Sequence, residues 1–219
     1  EDYTPDMDQM LFYLPLAGST FKKTYFDETM GRAVSKFVPA ENLVVPYETA
    51  DLDTCPNITQ VFRMSLNDLR KKQISGFYRD INVIPAQSEI SGVTEEINKI
   101  DGVEPSQIDY DCTLLECHVD LDLEGYEEVG EDGEPTGIKV PYIVTISEDN
   151  GEVLSIRRNY REEDELKKKI QYFTHFKFLP GFGFYGLGLI HTIGGLSRTA
   201  TAALRQLIDA GTLSNLPAG

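Results

Sequence analysis

His175-Phe-Lys-Phe-Leu-Pro180-Gly-Phe-Gly-Phe-Tyr-Gly186-Leu-Gly188-Leu-Ile-His191-Thr-Ile-Gly-Gly195-Leu-Ser-Arg198, continued by Thr199 to Gly211, holds two kinds of periodicity within forty residues. The apolar run Tyr172–Leu179 reads as a strand and stops at Pro180, which has no N–H to give a ladder. A loop of glycines and aromatics follows. Then Ile193, Leu196, Ala200, Ala203, Leu204, Leu207 and Ile208 share one face at helical spacing. The many Ala and Thr residues make that helix slim. The spacing predicts a helix from about 195 to 210, with Gly211 at C′ and Pro217 beyond it.

Working back from this stretch, strands dominate. Val140–Ile146 and Val153–Tyr160 flank Glu148-Asp-Asn150-Gly151, and Asn-Gly is a strong hairpin signal. Thr113–Leu123 alternates and adds a third antiparallel strand. Nearer the start, Ser19–Phe26 and Ala33–Val38 form a hairpin around 27–31, with Gly31 supplying the turn. Asn42–Tyr47 and Ile58–Met64 read as further strands. Ser65 caps a short helix, Leu66–Ile74, whose Arg70, Lys71 and Lys72 lie near the negative end of its dipole.

Two more helices are expected. Thr4-Pro5-Asp6 opens the first, with Thr4 as N-cap and Pro5 at the first helical position. Met7, Met10, Leu11 and Leu14 share a face until Pro15 ends or kinks it. Residues 87–101 suggest the other, through Ile90, Val93, Ile97 and Ile100. The fold class is therefore α+β: an antiparallel, strand-rich body with a few packed helices. Along the chain it divides into 1–80 (helix, strands and short helix), 81–180 (acidic and strand-rich) and 181–219 (Gly/aromatic loop and closing helix).

Composition narrows the function. With 219 residues, 41% hydrophobic and 26% charged, the chain has enough material for one sizeable core or a core plus a small lobe. No window approaches a membrane span. Three cysteines, Cys55, Cys112 and Cys117, argue against a disulfide scaffold and for a reducing compartment. Residues 101–165 carry 20 acidic and 4 basic side chains, which accounts for the whole net charge of −16. Residues 166–219 carry 6 basic and 1 acidic. So acidic a chain repels phosphate, which argues against tight nucleic-acid binding.

Each short motif has a plainer reading beside it. Gly181-Phe-Gly183-Phe-Tyr-Gly186 satisfies GxGxxG, but a dinucleotide site needs a helix directly after it and an acidic residue about 20 positions on. Leu187 to Gly195 intervenes, and Asp209 is the sole later acid. Glycines for close backbone packing, with aromatics filling the gaps, explain the motif better. On a strand, Cys112 and Cys117 face opposite ways, so that of a Cys112, Cys117 and His118 set only Cys112 and His118 share a face. With no second ligand pair, no metal site is expected. The acidic loop 124–134 lacks the alternating ligand order of an EF-hand and reads as solvated; whether it takes cations is left open. His175 and His191 read as core histidines, and no nucleophile–base pair is visible. No catalytic, cofactor-binding or metal-ligating residue is assigned, and no enzyme activity or cofactor is expected.

Three blocks resemble the portal proteins of tailed double-stranded-DNA phages, most closely those of short-tailed phages. Leu14 to Asp27 with Arg32 to Tyr47 is similar to their glycine followed by strands that lead to a segment ending in apolar residues. Ser65 to Tyr78 resembles the helix that follows those strands. The closing stretch is similar to the glycine-serine entry into a wing helix. Residues 80–135 add little, and the long stem helices, clip and crown are not visible, so the chain resembles the wing region as an excerpt of a longer polypeptide.

The resemblance implies a structural subunit of a ring of twelve copies at one capsid vertex of the virion, assembled in the host cytoplasm. The ring is the channel for genome packaging and ejection. Its partners are then further copies of itself, terminase, capsid or scaffold, and tail adaptor proteins. DNA passes through without sequence-specific binding, and no membrane is involved. The acidic middle and basic end would meet across neighbouring subunits. A phage tail adaptor, or another protein-binding module without catalytic activity, is the alternative.

Overall fold

The computed structural model describes residues 3–27, 31–83, 99–100, 102, 111–129 and 134–214. The helix expected over 87–101 lies outside these residues, apart from Lys99 and Ile100, which are helical. The chain forms two compact units, and both its ends belong to the first. Unit 1 gathers Glu1–Glu41, Thr49–Asp53 and Gln171–Gly219; unit 2 comprises Asn42–Glu48 and Thr54–Ile170. The division by sequence at 80 and 180 therefore does not follow the compact units: the closing segment packs with the opening one. The class is α+β, with antiparallel pairing in both sheets.

In unit 1, α1 spans Tyr3–Ala17. It already contains Thr4, and it continues past Pro15 rather than ending there. The proline costs the Leu11 carbonyl its intrahelical partner, and the helix stops only at Gly18. That residue has φ +88, and its N–H donates to the Leu14 carbonyl at 2.9 Å. This is a glycine C-cap of the αL type. Met10 is buried, while Met7 and Leu14 are half-buried and Leu11 is exposed. The Tyr13 ring lies 5.5 Å from that of Phe37, and Asp6 accepts from the Phe37 N–H at 3.3 Å.

The sheet of unit 1 has β1 (Ser19–Asp27) at its centre, between β2 (Arg32–Pro39) and β8 (Phe173–Lys177). The β1–β2 hairpin runs in register from Thr20↔Pro39 to Asp27↔Arg32, with Gly31 at φ +62. Pairing of β1 with β8 sets Phe21 opposite His175 and Ser19 opposite Lys177. Lys22 is buried. Its Nζ lies 3.9 Å from the centroid of the Tyr3 ring, so a cation–π contact takes the place of an ion pair.

Unit 2 is a five-stranded sheet in the order β3-β4-β5-β6-β7. Its strands are β3 (Leu43–Val44), β4 (Asn57–Ser65), β5 (Asp111–Leu121), β6 (Val140–Ser147) and β7 (Val153–Arg158). The strand expected over Asn42–Tyr47 is only two residues long, because Pro46 brings no donor to extend it. A register shift between Thr145 and Ile146 leaves Leu154 as the extra residue of β7, between Val153, opposite Ile146, and Ser155, opposite Thr145. Leu154 joins the cluster of Leu69, Tyr78, Val83, Cys112 and Leu114, whereas Val153 joins Val140, Tyr142 and Val144. Both faces of the sheet thus bury apolar side chains.

The second helix, α2 (Leu66–Ile74), covers part of the first cluster. Ser65 Oγ accepts from the Asp68 N–H at 3.2 Å, as its capping role requires. Gln73 is buried, and its side-chain amide donates to the carbonyls of Arg79 (3.2 Å) and Ile81 (2.7 Å). Those two bonds hold the segment that brings Tyr78 and Val83 into the core.

Candidate interaction surface

The loop that the glycines build is a close-packed joint in unit 1. Leu179 and Leu187 exchange backbone hydrogen bonds at 3.3 and 2.8 Å, and the Phe178 N–H donates to the Gly18 carbonyl at 3.0 Å. A Cβ on Gly18 would stand 2.4 Å from the Gly188 nitrogen, and one on Gly186 would stand 2.5 Å from the Gly18 carbonyl oxygen. A Cβ on Gly188 would stand 2.3 Å from the Leu16 carbonyl oxygen, and one on Gly181 would stand 2.5 Å from that of Tyr185. Real side chains do not approach backbone so closely, so these glycines are there for packing. Gly183 faces open space.

The aromatics fill the joint from inside. Phe184 is buried and lies 5.9 Å, ring to ring, from Phe21 and 4.7 Å from His175. Phe21 and His175 stack at 4.4 Å. Ser19 Oγ lies 3.1 Å from His175 Nε2 and accepts from the Gly186 N–H at 2.7 Å. Burial, with the nearby Lys177 charge adding to it, pushes the His175 ring down to about 4. A serine and a histidine at hydrogen-bond distance are thus brought together from 156 positions apart, a pair that nothing in the sequence announces. Ser19 is 2% exposed and its oxygen already accepts from a backbone amide, so its role here is to hold the joint.

The last helix, α3 (Leu189–Ser214), leaves this joint directly. It starts six residues before the expected position and runs straight through Gly194, Gly195 and Gly211. None of these glycines acts as a stop. Two or three glycines at about 1 kcal/mol each do not end a helix of 26 residues. The early start brings the glycine loop close to a helix, as a dinucleotide site would need. Yet the amides facing that role are already committed: Gly186 N–H to Ser19, Leu187 N–H to Leu179, and Gly188 N–H to His191 Nδ1 at 3.1 Å. The strand before the loop is also antiparallel, not part of a βαβ unit.

Almost the whole of α3 is exposed. Leu196 is 73% exposed, and Ile193, Leu204, Leu207 and Ile208 lie between 52% and 69%. Leu189, Ile193, Leu196, Ala200, Ala203, Leu207 and Ala210 alternate four and three residues apart, the spacing of a helix-packing seam. Ala200 and Ala203 at its middle allow a partner to come close. Arg198 and Arg205, two turns apart, fall on the side away from the seam. A monomeric protein rarely shows so continuous an apolar stripe unless something binds it.

Of the other residues singled out from sequence, His191 lies in the first turn of α3 and the rest lie in unit 2. His191 is exposed, not in a core. Cys112 is buried and Cys117 half-buried. His118 is buried against Glu116, with Nε2 at 2.8 Å from Oε1. Among the described residues, no group of three His, Cys, Asp or Glu side chains is placed to hold a metal ion. In the acidic loop, Glu127 accepts from the Gly125 N–H at 2.8 Å, and backbone hydrogen bonds hold its carboxyl below the usual range. Glu128 pairs with Lys167. No helix among the described residues is long and apolar enough to cross a membrane. No protein-family model matches the sequence, and no curated protein matches it.

Proposed function

We propose that this chain is a structural subunit of a phage portal ring, the channel at one capsid vertex through which the genome is packaged and ejected. The observation that carries the reading is the apolar seam of α3, a helix with packing spacing that the described residues leave uncovered. The occupant we assign is a second copy of the chain. A seam of this period suits another helix, and its alanines suit close approach. A helix of 26 residues is about 39 Å long, so one helix pair covers well under the ~1,600 Å² of a stable interface. Closure of a ring therefore draws on further contacts between subunits. The charge distribution offers one, since residues 101–165 carry the net −16 and residues 166–219 are basic. Exposed charges are screened within about 8–10 Å at physiological salt, so this term steers assembly more than it holds it.

Under this reading the work of the chain is geometric, without catalysis or cofactor. Terminase, capsid or scaffold, and tail proteins meet the ring, and DNA passes through it in the virion. The test is negative-stain imaging of the intact gene product that carries this chain. Closed rings with cyclic symmetry, twelve-fold by expectation, are the supporting outcome. A protein that stays monomeric at tens of micromolar would overturn the portal reading and favour an adaptor or another protein-binding module.

A further inference from the structure

We propose that His175 is an acid-sensitive latch at the root of α3: its neutral ring, gripped by Ser19, Phe21 and Phe184, seats the 178–188 loop, and protonation of the ring releases it. The proposal is independent of the portal reading, since it concerns unit 1 alone.

Proton bookkeeping favours one state of the ring. The Gly186 N–H can only donate, so Ser19 Oγ is its acceptor at 2.7 Å. The one hydroxyl proton of Ser19 then goes to its other neighbour, His175 Nε2, at 3.1 Å. Only with that nitrogen unprotonated, in the neutral Nδ1–H tautomer, does the hydroxyl proton have an acceptor in this pair, so the geometry favours that form. Protonation turns Nε2 into a donor, so the Ser19 hydroxyl must rotate and accept from it. The hydroxyl proton would have to turn away inside a site where Ser19 is 2% exposed, and would lose its acceptor. Ser19 Oγ, with two lone pairs, can still accept from the Gly186 N–H. Its hydroxyl proton is left unpaired, however, and that cost, added to a second charge beside Lys177, loosens the seat of the loop between β8 and α3.

The charges around the ring decide which way it titrates. β1 presents Ser19, Phe21 and Lys23 to this side of the sheet, β8 presents Phe173 and Lys177, and β2 presents Lys36 and Val38. Phe184 closes over the ring from the loop, and Asp51 and Asp53 line the same shallow depression as His175 and Lys177. Two effects compete. Stacking on Phe21 and Phe184 favours an imidazolium through cation–π attraction. Burial and the Lys177 charge oppose it, and they prevail, holding the ring down to about 4. A depressed histidine means that the unfolded chain binds the extra proton first. The contribution of the latch is therefore full above about pH 6.5 and is lost as pH falls through about 4.

Hydrogen exchange of the Gly186 and Leu187 amides, corrected for intrinsic rates, tests this between pH 7 and 3.5. The expected result is protection that falls by up to ~10-fold per pH unit between about 6.5 and 4, the slope of one linked proton. Amides of β6 in unit 2 should keep their protection over that window. His175→Phe keeps the stack without the titration, so its Gly186 profile should be flat. Ser19→Ala should expose the Gly186 amide at every pH. In nitrogen-15 spectra of the unaltered protein, His175 should show Nε2 unprotonated at neutral pH and titrate near 4. Several results would overturn the proposal: a ring that titrates at or above 6.5, an Nε2–H tautomer, a flat native profile, or loss of β6 protection over the same range.

Discussion

Leu114 in β5 and Leu196 in α3 are the same side chain in opposite circumstances, 0% and 73% exposed. Leu114 sits in a sheet that buries apolar residues on both faces and covers one cluster with α2 and the 77–83 segment. Leu196 belongs to a seam with nothing over it among the described residues. Burying a leucine is worth roughly 1.5–3 kcal/mol. In unit 2 that stabilisation is already part of the fold. In α3 it is not realised within the subunit; under the proposed function it comes when a second copy packs on the seam, and this difference separates a region that keeps the chain folded from one proposed to make contacts.

The largest expected effect tests the first half of the contrast. Leu114→Ala should destabilise unit 2 by about 2–5 kcal/mol, since the closely packed surroundings of Leu114 cannot collapse fully onto the gap. Urea unfolding followed by tryptophan-free methods, such as far-UV circular dichroism, measures it. A loss below about 1 kcal/mol would mean that the sheet is less tightly packed than its burial implies.

The next effect is smaller and reports on the electrostatics of the same core. Burial, with the Glu116 charge adding to it, pushes the Tyr78 hydroxyl up to about 12, against partial relief from Arg157 and the Thr145 hydroxyl. The folded state thus prefers the neutral phenol. Above pH 10 the unfolded chain has lost a proton that the folded protein keeps, so stability is full below about 10 and declines as pH rises toward 12. A shift of this size corresponds to roughly 2–3 kcal/mol at the end of that window. In Tyr78→Phe the decline between pH 10 and 12 should be shallower by that amount. An unchanged slope would place the titration elsewhere.

How much of this contrast the sequence discloses depends on how local the cause is. The hairpins β1–β2 and β6–β7 are legible because Gly31 and Asn150-Gly151 lie between alternating runs, and the Ser65 cap is legible for the same reason. The partner of β8 is not: alternation in Phe173–Lys177 shows a strand, but nothing near it names β1, about 150 residues away. Gly194, Gly195 and Gly211 mislead in the other direction. Read locally they are stops, whereas the long frame of α3 absorbs their cost. The seam itself is visible as a spacing, but its exposure depends on what else the fold provides to cover it. The Ser19–His175 contact is the least legible of all, because it exists only once β8 has paired with β1.

The smallest expected effect on stability is the one that matters most for the comparison. Leu196→Glu with Leu207→Glu places two carboxylates on a seam whose leucines are already 73% and 69% exposed, so no buried contact is lost. Both residues also keep good helix propensity. Unfolding of the isolated chain should therefore change by no more than about 0.5 kcal/mol per site, the ordinary range for surface substitutions. Assembly should respond quite differently. In a seam packed on another helix, each carboxylate would be driven into an apolar contact without a partner, a cost that far exceeds what an exposed site feels. Sedimentation velocity of the intact gene product should then show rings in the parent protein and dissociated subunits in the double variant, at equal folding stability. Rings that survive both substitutions would show that the seam faces solvent in the assembly, and α3 would lose its place as the contact surface. A double variant that unfolds would instead mean that the seam is already covered within the subunit, and the contrast with Leu114 would not stand.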